Sequence, residues 1–242
     1  MPPISSRSGA HAVCARLAGA HFRGLWRRGV ALLPAFGLAL LLLPAGIGEG
    51  TAMPVHPRKL APAAVYSTGF TGFPKWRGML ERFSRQLAAP DGADAALWRA
   101  FVDRLRGGDR AAQLRAVNAA VNAIPYVTDM ANWGRSDFWE TPVELLRYGG
   151  DCEDYAVAKY MALQALGVAV ADMRVDVVDD RQLGVTHAVL LVAADDDAYV
   201  LDNLTDEILP LEQTPFYRPV YAINEHGWWN YGPPPAATAA GP

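Results

Sequence analysis

The spacing of hydrophobic residues changes once along the chain, near residue 167, and this change predicts the fold class. Before it, helical signals dominate; after it, apolar and polar residues alternate with the period of two that is typical of strands. Helices are predicted over 78–88, 94–105, 110–124, 142–147 and 151–166, and strands over 173–178, 187–192, 198–201 and 219–223. Helices followed by an antiparallel sheet indicate an α+β domain.

Capping residues predict where several helices begin. Asp109 and Thr141 stand directly before helical segments, and Asp151 follows two glycines at the start of the longest one. Between these helices, residues 126–140 are aromatic and acidic and are predicted to form a loop. Residues 53–76 are rich in proline, glycine and aromatic residues, which predicts an extended arm lying over the domain.

The first 52 residues resemble an export signal. Residues 1–50 carry five Arg and one acid, and residues 30–43 form an uninterrupted apolar run. That run is shorter than the ~20 residues of a membrane span and fits the core of a signal peptide. We therefore predict a signal peptide over 1–52, with an uncleaved signal anchor as the alternative, and no membrane span in the mature form. The Pro/Ala-rich tail, 232–242, is predicted to be disordered.

Composition and charge narrow the classes of function for the domain at 53–231. A hydrophobic content of 51% and a charged content of 19% are typical of a globular protein. After residue 50 the chain has 17 basic and 24 acidic residues. Nucleic-acid binding needs clustered Lys and Arg, so this acidic domain is not expected to bind nucleic acid.

Cys152 is the candidate nucleophile. It is the sole cysteine after the predicted signal segment, and it lies at a helix start directly after Gly149 and Gly150. Backbone N–H groups and the helix dipole favour an anion there, which makes the reactive thiolate more available. The glycines allow a sharp turn and the approach of a substrate. The alternative is a buried cysteine with no chemical role.

His187 and Asp202 are the candidate partners of this thiol. Nucleophilic cysteines use a proton carrier, usually histidine, and His187 is the one histidine at the entry of a predicted strand. Asp202 ends the following strand, where a carboxylate can accept a hydrogen bond from an imidazole and orient it. The alternatives are a structural histidine at a strand end and an aspartate in a turn.

Four segments carry a resemblance to a known family: FWETPVELLRYGGDCEDYAVAKYMALQALGV at 138–168 (with the specific stretch GGDCEDYA at 149–156), THAVLLV at 186–192, YVLDNLTDEILP at 199–210 and PVYAINEHGWW at 219–229. With them the sequence resembles the bacterial transglutaminase-like cysteine peptidases of the papain-like superfamily. The resemblance implies a papain-like/transglutaminase-like core and a Cys-His-Asp triad at Cys152, His187 and Asp202. It also implies a periplasmic enzyme that trims large biofilm adhesins.

The same resemblance implies a calcium site beside the nucleophile, held by Asp151 and Glu153. Calcium takes 6–8 oxygen ligands, so Asp129 and Asp137 of the preceding loop are further candidates. The alternative is ordinary helix-start chemistry, with Asp151 as the N-cap and acids in the first turn. Carboxylates around Cys152 would raise the pKa of its thiol unless a cation neutralised them, so calcium-dependent activity is expected.

The hypothesis that follows is a periplasmic, calcium-dependent cysteine endopeptidase. Its expected substrate is a large cell-surface adhesin cut near its N-terminus at an Ala-Ala type of site. Its expected partner is an inner-membrane receptor for cyclic di-GMP that sequesters it. Two alternatives stay open: a transglutaminase-like acyl transferase with the same triad, and a calcium-dependent binding module without catalytic activity.

Overall fold

The computed structural model describes residues 64–89, 91–194 and 197–232. The predicted signal segment (1–52) and the predicted tail after residue 232 lie outside these residues. The described helices are α1 (Pro74–Leu87), α2 (Ala93–Asp103), α3 (Arg110–Asn122), α4 (Asp129–Trp133), α5 (Pro142–Tyr148) and α6 (Cys152–Ala165). No helix among the described residues has the length and apolar character needed to cross a membrane.

One antiparallel sheet of seven strands forms the other half of the domain. Its strands are β1 (Val65–Ser67), β2 (Met173–Asp180), β3 (Val185–Ala194), β4 (Asp197–Leu201), β5 (Leu209–Pro210), β6 (Tyr217–Ile223) and β7 (Trp228–Asn230). Their order in the sheet is β1-β7-β6-β2-β3-β4-β5. Six helices followed by six of the seven strands confirm the predicted α+β class.

The predicted helix starts agree with the capping seen in the structure. The Asp109 carboxylate accepts a hydrogen bond from the Ala112 N–H at 2.8 Å. Thr141 and Glu144 form a reciprocal capping box at the start of α5. Short-range hydrogen bonds of this kind depend only on neighbouring residues, which is why the sequence could locate them.

Two segments differ from their predicted conformation. Helix α1 begins at Pro74, four residues before the predicted start, so the end of the predicted arm is helical. A proline suits the first helical turn because its fixed φ is already helical and its missing N–H would have no partner there. The predicted loop 126–140 contains the short helix α4, and β1, β5 and β7 consist of two or three residues each, too few to show a period.

Helix α6 lies at the centre of the domain. Every residue from Cys152 to Leu163 is buried, and the helix packs against β2, β3, α3 and α5. A helix surrounded on all sides has no solvent face, so its sequence lacks a single apolar stripe. This buried helix carries charged residues, including Glu153, Asp154 and Lys159, which must be satisfied by partners inside the protein.

Candidate active site and acidic cluster

Cys152 is the first residue of α6 and is 7% exposed. Its Sγ lies 3.2 Å from Oε2 of Glu153, to which the thiol donates a hydrogen bond. Its N–H belongs to the first turn of the helix, where backbone donors lack intrahelical acceptors. The predicted position of the thiol at a helix N-terminus is therefore what the structure has.

The two glycines before Cys152 are required by close approach of other atoms. Gly149 has a φ of +76°, and a Cβ there would lie 2.4 Å from the carbonyl oxygen of Pro125. At Gly150, a Cβ would lie 2.5 Å from a carboxylate oxygen of Asp154. A larger residue at either position would displace the start of α6, and with it the thiol.

His187 and Asp202 are joined by a hydrogen bond of 2.8 Å between Nε2 and Oδ1. Asp202 also accepts hydrogen bonds from the Leu204 N–H, at 3.0 Å, and from the Tyr217 hydroxyl. Burial alone would raise the pKa of Asp202, but the hydrogen bond and charge of His187, followed by the Tyr217 and Leu204 donors, lower that pKa to about 2. The carboxylate is thus held ionised and fixed against the imidazole.

The helix that begins with Cys152 packs against β3, the strand that carries His187. Tyr221 of β6 lies near the same helix start. Its pKa is raised, first by burial and then by the negative charges of Glu153, Asp137 and Cys152. Helix α6 therefore contacts the strand that carries His187, and Tyr221 of β6 lies near the N-terminal end of α6, although both strands follow Cys152 by more than 30 residues.

Six acidic side chains gather beside Cys152. Oxygens of Asp129, Asp137 and Glu153 lie within 4.8 Å of one another. Ligand atoms of Asp151, Cys152 and Glu153 meet the same limit. A third group at this spacing consists of Asp129, Glu140 and Asp154. All four predicted metal ligands, namely Asp129, Asp137, Asp151 and Glu153, therefore belong to one connected cluster.

Several oxygens of this cluster receive no hydrogen bond from the described residues, although they are buried. They are Oδ1 of Asp151, Oε1 of Glu153 and Oε2 of Glu140. A buried carboxylate oxygen without a donor is costly, and a hard cation with oxygen ligands would satisfy it. The donor set of this cluster therefore fits calcium.

Burial, with added charge repulsion, raises the pKa of carboxyl groups in this cluster. Burial raises the pKa of Asp151 to about 12, with further contributions from Glu153, Asp154 and Asp129. Burial likewise raises the pKa of Glu140 to about 7, against the opposing hydrogen bonds from Trp133 and Asn132. Without a compensating cation, these carboxyls favour the protonated state.

The structure also decides which acid caps α6. Asp151 occupies the N-cap position, but it is the Asp154 carboxylate that accepts the Asp151 N–H, at 3.0 Å. The other oxygen of Asp154 accepts the Glu140 N–H at 2.7 Å and ties the preceding loop to the helix. Asp151 and Asp154 form a reciprocal capping box, which confirms Asp151 as the predicted N-cap, while Oδ1 of Asp151 has no hydrogen-bond donor among the described residues.

Four residues near these groups were not singled out from the sequence: Glu140, Tyr217, Tyr221 and Lys159. Lys159 is fully buried in α6, and burial lowers its pKa to about 7 against the opposing charges of Asp202 and Asp206. A charged residue in the middle of an otherwise apolar helix was the one signal that could have identified it. The other three lie in segments whose periodicity indicated only a loop or a strand.

Comparisons with known proteins identify the family and the fold. The sequence profile described as "Bacterial transglutaminase-like cysteine proteinase BTLCP" matches residues 102–230, which is more than half of the chain. A comparison with curated protein sequences found no match.

Solved structures of LapG from Legionella pneumophila are similar in fold. The calcium-bound form has a TM-score of 0.52 and 30% identity, over 63% of this chain and 87% of that chain. The EGTA-treated form has a TM-score of 0.51 and 30% identity, over 63% and 85% of the two chains. The transglutaminase-like core predicted from the sequence is thereby confirmed.

Proposed function

The chain belongs to the bacterial transglutaminase-like cysteine proteinases, and from that premise we propose that it is a calcium-dependent cysteine endopeptidase. The observation that carries this proposal is the 2.8 Å hydrogen bond between His187 and Asp202. His187 lies on β3, and β3 packs against α6, the helix that begins with Cys152. A histidine oriented by a carboxylate is what a cysteine nucleophile needs as its proton carrier.

In this mechanism each member of the triad has a separate task. Asp202 holds Nε2 of His187, so the proton of the Cys152 thiol passes to Nδ1. The thiolate attacks the peptide carbonyl carbon, and the C–N bond breaks as Nδ1 returns the proton to the leaving amine. Water then attacks the thioester while His187 takes its proton, releasing the carboxylic acid and restoring the thiol.

The start of α6 supplies the electrostatic support for this attack. Negative charge develops on the carbonyl oxygen, and the N–H groups of the first helical turn are donors for it. Gly149 and Gly150 keep this helix start in place, because a Cβ at Gly149 would meet Pro125 and one at Gly150 would meet Asp154. Substitution of either glycine would therefore displace the start of α6, and with it the Cys152 thiol and the N–H donors of the first helical turn.

Asp151, Glu153, Asp129 and Asp137 are the residues proposed to hold calcium. The buried oxygens of Asp151 and Glu153 that lack donors support this assignment, as does the likeness to a calcium-bound LapG structure. When bound, calcium would neutralise the acids around the nucleophile. Glu153 links the two sites, because its carboxylate belongs to the cluster and also accepts the thiol hydrogen bond of Cys152.

The proposed biological setting rests on the family resemblance. The substrate is a large cell-surface adhesin, cut near its N-terminus at an Ala-Ala type of site, and the outcome is control of biofilm attachment. The enzyme is exported to the periplasm by residues 1–52, and an inner-membrane cyclic di-GMP receptor sequesters it. The acidic character of the domain supports a protein substrate over nucleic acid.

The test is cleavage of an adhesin N-terminal fragment by the purified protein. Cys152→Ala and His187→Ala should each lower the cleavage rate by about a thousandfold or more, because either change removes part of a unit that acts together. His226→Ala is the matched control, since His226 is exposed and should leave the rate unchanged. EGTA should stop cleavage by the wild type, and calcium should restore it.

The products distinguish the proposal from its alternatives. Two fragments with the mass of one added water indicate hydrolysis, whereas a crosslinked product or a loss of ammonia indicates acyl transfer. Cleavage that survives Cys152→Ala would sink the proposed mechanism. Alkylation of Cys152 by iodoacetamide no faster than that of a free thiol would favour a binding module instead.

A further inference from the structure

Lys75, near the start of α1, lies against the acidic cluster. Its ammonium group forms an ion pair with the Asp137 carboxylate, which in turn lies within 4.8 Å of Asp129 and Glu153. Lys75 belongs to the part of the chain before residue 102, outside the region matched by the family profile. The acidic cluster therefore has a cationic neighbour that the family match does not account for.

The backbone on both sides of Lys75 is anchored by aromatic packing. Phe73 packs on Tyr221 and Trp228, with ring centroids 5.3 and 5.0 Å away. Trp76 is 1% exposed, and its ring meets Trp139 edge-on at a centroid distance of 6.0 Å. The packing of Phe73 and Trp76 thus fixes the backbone of Lys75 next to the acidic cluster.

The position of Lys75 in α1 is unfavourable for the helix itself. The first turn of a helix favours acidic residues, and a cation there opposes the helix dipole. The first turn of α1 contains no acidic residue, so nothing within the helix offsets this charge. The favourable partner is Asp137, which indicates that the cluster, and not the helix, is the reason for a cation at this position.

We propose that Lys75 is a built-in counter-ion of the calcium site, which occupies Asp137 when the metal is absent and must be displaced when calcium binds. The inference rests on the calcium site of the proposed function. Two cations cannot both use the Asp137 carboxylate without repelling each other. Lys75 therefore weakens calcium binding and stabilises the metal-free protein, and so sets the calcium concentration at which the site fills.

Calcium affinity of the purified protein, measured by isothermal titration calorimetry, tests this role. The Cys152→Ala background separates binding from peptidase activity. Lys75→Met keeps an apolar stem and removes the charge, and it should tighten calcium binding about fivefold, the effect of one partly exposed ion pair. The melting temperature in EGTA should fall for the same variant, because the acids lose their counter-ion.

Two further variants serve as controls. Lys75→Arg keeps the charge and should bind calcium within about twofold of the parent. Arg77→Met removes a positive charge from the same helix, where Arg77 pairs only weakly with Glu81 at 3.9 Å, and should leave the affinity unchanged. In an Asp137→Asn background, Lys75→Met should lose most of its effect, because the carboxylate that the two cations share is gone.

The displacement of Lys75 from Asp137 by calcium can be measured separately, through the reactivity of the Lys75 amine. Acetylation of the Lys75 amine, followed by mass spectrometry, should be about two- to threefold faster with calcium than with EGTA, if the ion pair shields the amine by an amount typical of exposed pairs. Calcium affinity that is unchanged or weaker in Lys75→Met would overturn the inference, and so would calcium binding to neither variant. Tighter binding in the Cys152→Ala background, together with no adhesin cleavage by the protein that retains Cys152, would refute the proposed function but uphold the role of Lys75.

Discussion

At the scale of single residues, the carboxylates around Cys152 divide tasks that the sequence could not separate. Asp151, Glu153 and Asp154 flank Cys152 at a helix start, where capping and metal binding are equally compatible with residue type. In the structure, Asp151 and Asp154 form the capping box, while Oδ1 of Asp151 and Oε1 of Glu153 remain without donors among the described residues. The direction in which each side chain points decides its role.

Lys159 gives a prediction for the pH dependence of stability. Burial lowers the pKa of this lysine to about 7, although Asp202 and Asp206 oppose the shift. At Lys159 the folded state therefore binds fewer protons than the unfolded state above pH 7, so the contribution of this residue to the free energy of unfolding rises with pH. The raised pKa values of Asp151 and Glu140 act in the opposite direction in both the wild type and a Lys159 variant. Between pH 7 and pH 9, Lys159 is expected to increase the free energy of unfolding by about 2 kcal/mol.

Urea denaturation at pH 7 and pH 9 measures this contribution. Lys159→Met should make the change in unfolding free energy from pH 7 to pH 9 about 2 kcal/mol less positive than in the wild type, because it retains the packing volume but cannot take up a proton. Arg77→Met, an exposed change on α1, should keep the slope of the wild type. A Lys159→Met variant whose stability rises with pH as steeply as the wild type would contradict this assignment of the proton.

At the scale of elements, α1 is more deeply involved in the domain than its sequence indicated. The apolar spacing predicted a helix from Gly78, whereas α1 starts at Pro74 and buries Trp76, Met79 and Phe83. Trp76 contacts Trp139, next to the acidic cluster, and Tyr160 of α6. A helix outside the family-matched region thus forms part of the core around the site.

Trp76→Ala tests whether α1 is integral to the fold. The change removes a buried indole and leaves a cavity, so the free energy of unfolding should fall by about 3–5 kcal/mol. Arg77→Ala, at the exposed neighbouring position, should change the same quantity by about 0.5 kcal/mol or less. Equilibrium denaturation in urea compares the two; equal small effects would mean that α1 is dispensable for the stability of the domain.

At the scale of the whole molecule, the proposed calcium site would couple metal binding to folding. Its ligands come from α4, the loop before α5 and the start of α6, so they come together only in the folded chain. A cation that binds only the folded state stabilises it in proportion to the logarithm of its concentration. The metal-free protein also carries the cost of buried acids with raised pKa values.

Calcium should therefore raise the melting temperature of the protein. At a concentration about one hundred times the dissociation constant, the gain is about 2.7 kcal/mol, which corresponds to a shift of about 5–10 °C for a domain of this size. Differential scanning calorimetry with calcium, magnesium or EGTA measures it. Glu153→Gln should reduce the shift, whereas an equal shift with magnesium would argue against a site selective for calcium.

Several structural features of this protein could be predicted from local sequence patterns. The helix caps at Asp109 and Thr141, the thiol at the first turn of α6 and the change from helices to strands depend on neighbouring residues or on short periods. Such features form within one or two turns of chain. The sequence therefore determined the α+β class and the candidate residues Cys152, His187 and Asp202.

Only the tertiary structure decided which of these residues meet and what surrounds them. The Asp202 side chain meets His187, as predicted, but also Tyr217, and the acids of the 126–140 segment converge with Glu153. Lys75 reaches Asp137 across 62 positions of sequence, and β1 pairs with β7 across more than 150. Contacts between residues so far apart depend on the packing of the whole domain, and no local period encodes them.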